Sequence, residues 1–392
     1  MKFFFFHLMP WPYLPEDFEQ HHKTAWIWCP NNLYDPQEGH NVYNNYLDQL
    51  EYAEKLDFDG VCVNEHHQTA YGHMPSPNII AAAIARRTSK IKIAVVGNAL
   101  PLYNPPQRVA EEIAMLDVIT GGRIISGQVV GGGPEYYSFG INPSFARERF
   151  SEAHELIIKM WTEDGPFSFY GKHYKVKYVN CWPKPIQKPH PPIWIPGAGS
   201  LETMDWVAQK RYAYMGIPYF HIDVFRKNFD YFRQATEKCG YTADPEQLGW
   251  LVPIYVSETD QQAREEFEPH FWYFTKKLLK GLTITPPGYT SVRSMMKIWK
   301  DSQKKFMGAV ETWDDLMEGS YAIVGSPETV REKLKERIRE LGCGNVLGLF
   351  QFGNMSHELT TKNMELFAKE VMPHLRQELG SKKLTLETEV KI

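Results

Sequence analysis

Residues 91–130 read IKIAVVGNAL PLYNPPQRVA EEIAMLDVIT GGRIISGQVV. The run begins with a short apolar segment rich in β-branched residues at 91–96, followed by apolar residues at helical spacing over 105–119. A second apolar segment follows at 123–130. A strand, a helix and a strand in this order predict two parallel strands joined by a crossover helix.

The same alternation extends along most of the chain. Further strands are predicted at residues 2–9, 60–64, 192–196, 212–217, 248–256 and 345–352, and further helices at 43–56, 76–88, 146–161, 201–210, 224–239, 260–277 and 327–341. Eight strands favour closure into a TIM (β/α)8 barrel over an open doubly wound sheet. We therefore expect one barrel domain over residues 1–379, with insertions.

Two stretches break the alternation. Residues 165–183 have the pattern of a surface hairpin that turns at Gly171 and Lys172. Residues 281–320 carry Pro286-Pro287-Gly288 and show no clear period, which predicts an active-site lid or, alternatively, a disordered insertion. The tail at residues 380–392 is polar and charged, and we expect it to be loosely held.

Composition narrows the classes of function. The net charge is -4 and no run of Lys or Arg forms a basic stripe, which disfavours a nucleic-acid partner. The apolar run at residues 3–6 is too short for a secretory signal, and no stretch approaches the ~20 apolar residues of a membrane span. Five scattered cysteines without paired spacing indicate reduced thiols and no metal centre, as expected of a cytoplasmic protein.

The first candidate site residues follow the strand at residues 60–64. In a TIM barrel the active site forms at the carboxyl ends of the strands, and here the strand runs into Asn64-Glu65-His66-His67. Histidine exchanges protons near neutral pH and suits general acid–base work. Adjacent side chains of a strand point to opposite faces, so one histidine is expected to face the pocket while the other braces the wall. A structural hydrogen-bonded pair is the alternative.

Glycines mark three other strand ends. Gly97 permits close approach of the backbone to a flat ligand, although an ordinary turn also explains it. In residues 196–203, two glycines and Ser200 at a helix N-cap offer free amides to a phosphate. The turn Gly131–Gly133 either cradles a phosphate or simply reverses the chain. Neither turn matches a P-loop or a dinucleotide fingerprint.

Taken together, four segments resemble the luciferase-like flavin monooxygenases, which include the bacterial luciferase subunits and the diketocamphane monooxygenases. The segments are NEHH at residues 64–67, NPPQRVAEE at 104–112, LDVITGGR at 116–123 and VGSPETV at 324–330. Their order and spacing are specific for that superfamily, and the resemblance covers nearly all of the predicted barrel.

The resemblance implies a monooxygenase that uses reduced FMN and O2. Such an enzyme forms a flavin peroxide that oxygenates a small organic substrate, which the aromatic-rich composition suggests is apolar or aromatic. A partner flavin reductase supplies the reduced FMN, and homodimers predominate. The resemblance also implies that His66 is the catalytic histidine, which handles protons beside the flavin.

The resemblance assigns the cofactor contacts to particular turns. The turn at Gly97, Asn98 and Ala99 lies against the isoalloxazine ring and in relatives often contains a non-prolyl cis peptide. The flavin phosphate is received by a second turn. The complete set of expected cofactor contacts is Gly97, Asn98, Ala99, Gln128, Val130, Gly131, Arg147, Gly199, Ser200 and Thr203. The expected substrate-pocket residues are His7, Trp11, Tyr136 and Tyr137.

One departure from the family pattern concerns the phosphate. Relatives commonly carry an arginine after the fourth strand, where this chain has Val130. Gln128, Arg147 or Arg149 could compensate, or the flavin binds weakly and leaves between turnovers. Gly199 also replaces a glutamate of the luciferase pattern.

Two rival functions remain open at this stage. The first is hydride transfer by a deazaflavin-dependent oxidoreductase, which uses the same fold and the same cis-peptide turn. The second is a non-catalytic flavin-binding protein, against which the presence of His66 argues. A metal-dependent hydrolase is disfavoured because no strand end carries alternate His-x-His ligands.

Overall fold

The computed structural model describes residues 1–279, 296 and 306–380. The strands are β1 (Lys2–Phe6), β2 (Gly60–Val63), β3 (Lys92–Ala99), β4 (Ile124–Val129), β5 (Phe167–Tyr170), β6 (Lys175–Val179), β7 (Ile193–Gly197), β8 (Ala213–Gly216), β9 (Leu248–Val256), β10 (Ile323–Gly325) and β11 (Asn345–Leu349). The α-helices are Phe18–His21, Pro36–Lys55, Pro77–Arg87, Gln107–Thr120, Gly133–Phe139, Ala146–Thr162, Leu201–Lys210, Ile222–Lys238, Asp260–Tyr273, Trp313–Glu318, Pro327–Leu341, His357–Leu366 and Met372–Gly380.

Shorter helical turns complete this inventory. The 3-10 turns are Asn31–Leu33, Leu100–Leu102, Pro143–Phe145, Pro245–Gln247 and Met307–Ala309. Two helices continue as π-helical turns, at Phe274–Leu278 and at Phe367–Val371. None of the helices in the described ranges is long and apolar enough to cross a membrane.

The parallel strands close into a barrel. Among the described residues, β1, β2, β3, β4, β7, β8, β9 and β11 each pair in parallel with two neighbours, and β9 closes the ring by pairing with both β8 and β11. The short strand β10 pairs outside the ring with the last residues of β9, from Ile254 to Val256. The predicted TIM barrel is therefore confirmed.

The interior of the barrel is filled at its amino-terminal end. The ring of Phe4 lies edge-on against Trp194 of β7, with 5.0 Å between centroids, and both side chains are buried. Gly60 makes room for this packing, because a Cβ there would lie 2.3 Å from the Phe4 ring. The neighbouring residues Phe3 and Phe5 point the other way, against Phe367 of the helical layer and Phe350 just after β11. The alternation along β1 thus fills both the barrel and its surrounding layer.

The two stretches that break the strand–helix alternation differ in outcome. The hairpin is confirmed, since β5 and β6 pair antiparallel on the surface. Of the expected lid over residues 281–320, most lies outside the described residues. Its last part was predicted to be irregular, and this was wrong. Residues Trp313–Glu318 form a helix, which Thr312 caps by accepting a hydrogen bond from the amide of Asp315. The tail beyond Gly380 also lies outside the described residues.

The carboxylate of Glu54 fixes the start of β3. It lies near the end of the helix Pro36–Lys55 and accepts hydrogen bonds from the amides of Ser89, Lys90 and Ile91, at 2.7 to 3.0 Å. Burial raises the pKa of this carboxyl, but the amide hydrogen bonds lower it more, so that it falls to about 2. A carboxylate on a helix therefore determines where the neighbouring strand begins.

We expect Glu54→Gln to lower the free energy of unfolding at pH 7 by about 1–2 kcal/mol, because an ionised acceptor of several amides is lost. A lowered folded-state pKa contributes stability above the ordinary value of 4.5, and this contribution is lost as the pH falls towards about 2. Urea denaturation at pH 7, 5 and 3 should therefore show that the difference in free energy of unfolding between wild type and variant becomes smaller as the pH falls. The exposed Glu155→Gln serves as control, with a change below about 0.5 kcal/mol at pH 7. A gap that widens towards pH 3 would contradict the assignment.

Candidate functional site

Glu65, which follows Asn64, connects the carboxyl ends of β2 and β3. One carboxylate oxygen of Glu65 accepts hydrogen bonds from the amide of Ala99 at 3.2 Å and from the hydroxyl of Tyr103 at 2.7 Å. The other oxygen lies 2.8 Å from Nε2 of His67. The ring of His67 also packs edge-on against Phe139, at 4.7 Å. His67 is thereby held by Glu65 and Phe139.

His66 has different partners. Its Nδ1 lies 3.0 Å from a carboxylate oxygen of Glu135, and its ring lies edge-on to the stacked pair of Trp26, at 5.3 Å, and Tyr71, at 4.9 Å. The side chain remains 21% exposed. The two histidines thus have separate partners. The geometry agrees with the expectation that one braces the wall and the other faces a site.

Glu135 is a functional candidate that the sequence reasoning missed. Its side chain is 4% exposed, and it lies in the first turn of the helix Gly133–Phe139. Burial raises its pKa, but the hydrogen bond and charge of His66 lower it more, so the net pKa is below the ordinary value. The available signal was that Glu135 is the only acidic residue in the glycine-rich stretch 121–147.

The turn at the end of β3 has the backbone that the resemblance implies. The Val96–Gly97 peptide bond is cis. A Cβ on Gly97 would lie 2.6 Å from the carbonyl carbon of Gly127, and a Cβ on Gly127 would lie 2.2 Å from the carbonyl oxygen of Val95. Only glycine allows β3 and β4 to approach so closely at these two positions.

Asn98 leaves one polar atom without a partner. Its side-chain amide nitrogen lies 3.2 Å from both Oδ1 of Asn78 and the hydroxyl of Tyr103. Its side-chain carbonyl oxygen is buried and has no hydrogen-bond donor among the described residues. A buried acceptor without a donor is uncommon, and it is well placed for a ligand that carries an N–H group.

Residues after β4 are divided between core and site. The side chain of Gln128 is fully buried and accepts a 2.7 Å hydrogen bond from Nδ1 of His154, whose pKa burial lowers to about 3. Val130 accepts a hydrogen bond through its carbonyl from the hydroxyl of Tyr136. Gly131 adopts φ 94°, and a Cβ there would lie 3.3 Å from Cβ of Ala99. Gly131 is therefore next to the β3 turn, whereas the Gln128 side chain packs against the helix Ala146–Thr162.

The turn after β7 gathers residues from two distant segments. Arg147 donates from Nη2 to the hydroxyl of Ser200 at 2.8 Å and from Nη1 to the hydroxyl of Thr203 at 3.2 Å. We call these three residues the Arg147 cluster. Ser200 occupies the N-cap position of Leu201–Lys210, but its side chain makes no capping bond and donates instead to Glu202 at 3.0 Å. Ser200 is therefore the N-cap residue, as predicted, and its side chain does not take up the first amides of the helix.

Neighbouring positions show why Arg147 and not Arg149 reaches this turn. Arg149 donates to the carbonyl oxygen of Pro101 at 3.2 and 3.3 Å and lies 5.0 Å from the ring of Tyr174. Gly199 adopts φ 97°, and a Cβ there would lie 2.6 Å from the amide nitrogen of Asn228. A glutamate would be strained at Gly199, which accounts for that departure from the luciferase pattern.

The four expected substrate-pocket residues have unlike surroundings. His7 is fully buried, its Nε2 lies 2.9 Å from Oε1 of Gln49, and burial lowers its pKa to about 3. Trp11 is buried and donates to the carbonyl of Leu33 at 3.1 Å. Tyr136 is buried with its hydroxyl on Val130, whereas Tyr137 is 60% exposed. His7 and Trp11 are packed as core residues, and Tyr137 lies at the surface.

A cluster of aromatic residues lies on one side of His66 instead. Trp26 and Tyr71 stack at 4.3 Å, and the hydroxyls of Tyr71 and Tyr219 hydrogen-bond to each other. Phe274 lies 5.8 Å from Tyr71 and 5.5 Å from Tyr219. We call Trp26, Tyr71, Tyr219 and Phe274 the aromatic wall. Its members come from four separate segments, so no sequence motif could have grouped them.

The described part of the chain holds no group of three or more His, Cys, Asp or Glu side chains that could bind a metal ion. The titratable groups at the strand ends occur as pairs, His66 with Glu135 and His67 with Glu65. Paired groups of this kind can hold and transfer protons.

The chain is similar to known proteins over most of its length. The model of the luciferase-like monooxygenase family matches residues 25–344. An uncharacterised protein of Sinorhizobium fredii, y4wF, is 28% identical over 86% of this chain and 94% of its own length. The 2,5-diketocamphane 1,2-monooxygenase 2 of Pseudomonas putida is 24% identical over 90% of this chain and 99% of its own. The oxygenase component of the flavin-dependent trigonelline monooxygenase of Acinetobacter baylyi is 24% identical over 59% and 64%, respectively.

Solved structures share the barrel fold. The monooxygenase RslO1 of Streptomyces bottropensis aligns with TM-score 0.72 and 22% identity, over 95% of this chain and 99% of its own. The oxygenating constituent of 3,6-diketocamphane monooxygenase of Pseudomonas putida, solved with FMN, aligns with TM-score 0.66 and 21% identity, over 85% of this chain and 93% of its own. The coenzyme F420-dependent tetrahydromethanopterin reductase of Methanopyrus kandleri aligns with TM-score 0.62 and 19% identity, over 85% of this chain and 95% of its own.

The close approach of β3 and β4 can be tested directly. Gly97→Ala and Gly127→Ala should each lower the free energy of unfolding by about 2 kcal/mol or more, because the added methyl group meets backbone that cannot move aside. Gly380→Ala, whose Cβ would meet nothing within 4 Å, should change it by less than about 0.5 kcal/mol. Urea denaturation followed by circular dichroism measures all three. Wild-type stability in both strand-end variants would refute the packing argument.

Proposed function

The chain belongs to the luciferase-like monooxygenase family, and we propose that it is a flavin-dependent monooxygenase that uses reduced FMN and O2 to oxygenate a small apolar or aromatic substrate. A separate flavin reductase supplies the reduced FMN, and the working enzyme is a cytoplasmic homodimer with one barrel domain over residues 1–379. The arrangement that carries this proposal is the meeting of three features at one end of the barrel. They are His66 after β2, the cis peptide bond within the last residues of β3 and the Arg147 cluster after β7.

The Arg147 cluster fits the phosphate of FMN. A guanidinium group, two hydroxyls and the first amides of the helix Leu201–Lys210 lie together, and each of these groups favours a phosphate. Nε of Arg147 is buried and has no hydrogen-bond acceptor among the described residues. Arg147 therefore takes the place of the arginine that relatives carry at the position of Val130. Glu202 lies on the same Ser200 hydroxyl, and its charge limits the affinity, which suits a flavin that leaves between turnovers.

The β3 turn fits the flat part of the cofactor. The carbonyl oxygen of Asn98 is the unpartnered acceptor at this turn, and an isoalloxazine ring carries an N–H donor. Gly97 and Gly131 present backbone without side chains on either side of Ala99. These residues can hold the ring edge, and Arg147 can hold the phosphate.

When bound, reduced flavin supplies the electrons that activate O2. The chain supplies proton control and a dry environment. His66 holds or releases a proton at Nε2, while Nδ1 is held by Glu135. The aromatic wall covers His66 with apolar surface, which excludes water and favours apolar or aromatic substrates.

One observation favours a second candidate function. The same barrel occurs in the F420-dependent reductase of Methanopyrus kandleri, so hydride transfer with a deazaflavin is the alternative. Anaerobic titration with reduced FMN, followed by rapid mixing with O2, separates the two. An altered time course of flavin re-oxidation on the protein supports the monooxygenase. Failure to bind reduced FMN, combined with binding of reduced F420, supports the alternative.

We expect His66→Asn to bind reduced FMN with wild-type affinity but to lose oxygenation by a factor of about 10²–10⁴, the usual contribution of a general acid or base. Its re-oxidation course should return to that of free flavin. His67→Asn serves as control, since its ring is directed at Glu65. Wild-type turnover by His66→Asn would remove His66 from the mechanism.

Arg147→Met should weaken binding of FMN by about 10- to 100-fold, because hydrogen bonds to a charged group contribute about 1.5–3 kcal/mol. Binding of riboflavin, which has no phosphate, should not change. Arg149→Met controls for loss of a nearby positive charge, since Arg149 is engaged with Pro101. Flavin fluorescence titration measures both ligands. Equal losses of affinity for FMN and riboflavin in Arg147→Met would show that the phosphate does not bind at the Arg147 cluster.

A further inference from the structure

We propose that Glu135 is a positioning residue for His66: its carboxylate holds the proton of the imidazole on Nδ1 and leaves Nε2 as the nitrogen that faces the site. This inference rests on the proposed function in one respect, the use of His66 as the proton-handling group. It assigns the orientation and the tautomer of His66 to a residue that no sequence motif marks.

Geometry limits what Glu135 can do. One carboxylate oxygen lies 3.0 Å from Nδ1 of His66. The other is buried, without a hydrogen-bond donor among the described residues, and a Cβ on Gly132 would lie 2.5 Å from it. The carboxylate is therefore packed against backbone on one side and presented to His66 on the other. Gly132 is required by this arrangement.

The charge balance indicates a purpose beyond stability. Among the described residues, no lysine or arginine forms an ion pair with Glu135, whose charge partner is His66 when that ring is protonated. Burying a carboxylate costs several kcal/mol, which a single partner scarcely repays. A group retained at such a cost in a strand-end site is a candidate for function.

Three other histidines, fully or partly buried, have neutral partners, whereas His67 and His173 face a carboxylate as His66 does. His7 is held by Gln49, His154 by Gln128 and His270 by Asn354, so a neutral amide is the partner in each case. An amide fixes the ring but does not stabilise an added proton. A carboxylate does both, because it attracts the positive charge of the protonated ring.

His67 also faces a carboxylate, but its partner is shared. Glu65 is at the same time the acceptor for Ala99 and Tyr103, whereas Glu135 serves His66 alone among the described residues. Trp26 and Tyr71 stack on each other and contact the His66 ring from one side, at interplanar angles of 89° and 84°. With Nδ1 held by Glu135, Nε2 is the ring nitrogen left for proton transfer.

The test uses the tautomer of His66 in the flavin-free protein, read from ¹⁵N chemical shifts of ring-labelled histidine. The signal is assigned by its loss in His66→Asn. We expect the Nδ1–H form in the wild type and in Glu135→Gln, whose amide oxygen still accepts the bond. Glu135→Leu, which removes the acceptor, should shift His66 towards the Nε2–H form. An unchanged tautomer in Glu135→Leu would overturn the inference.

The second readout is the kinetics of oxygenation. Glu135→Gln keeps the hydrogen bond but removes the charge, so we expect kcat to fall by about 10- to 100-fold, as for other residues that orient a reacting group, while KM and FMN affinity stay unchanged. If Glu135→Leu does not fold, Glu135→Ala, which also removes the acceptor, replaces it in both measurements. Full kcat together with an unchanged tautomer in the variant that lacks the acceptor overturns the inference while the proposed function stands. Failure of the wild type to oxygenate any substrate defeats the proposed function instead, and the tautomer measurement still decides the role of Glu135.

Discussion

The carboxylate of Glu65 is the contact on which the carboxyl end of the barrel depends. It joins the end of β2 to the turn after β3 through the amide of Ala99, and it holds the ring of His67. Adjacent side chains of an extended segment point in opposite directions, so fixing His67 against the wall leaves His66 directed at Glu135. Through Tyr103 the same carboxylate reaches Asn98, whose free carbonyl oxygen lies in the next turn. One acidic residue thus relates His66, the proposed proton-handling group, to the segment proposed to bind the flavin ring.

The fold was predictable because barrel strands and helices carry local signals. The helices 201–210 and 327–341 and the strand 248–256 were predicted at the bounds that the structure shows. The helix predicted from residue 43 begins at Pro36, because Asp35 caps it by accepting hydrogen bonds from Gln37 and Glu38. Apolar periodicity fails in that polar first turn, and the capping residue was the signal available. The short helix Gly133–Phe139 was hidden by its glycines, which predicted only a turn.

The site was predictable only where a motif names it. His66, the β3 turn and the residues of the Arg147 cluster stand in segments with recognisable sequence. The choice among Gln128, Arg147 and Arg149 required the structure, because it depends on which way each side chain leaves its strand or helix. Glu135 and the aromatic wall are long-range neighbours of His66, joined by packing and not by spacing in the chain. Sequence patterns report local periodicity, and contacts between residues far apart in the chain do not change that periodicity.

Phe4 and Trp194 pack against each other inside the barrel, near its amino-terminal end. The candidate site lies at the other end, so under the proposed function the flavin and the substrate both enter and leave there. A ligand that binds over another delays the release of the one beneath it, and the order of binding then affects the rate of turnover. For an enzyme that takes reduced flavin from a separate reductase, as proposed, the exchange of ligands contributes to the turnover rate together with the chemical step.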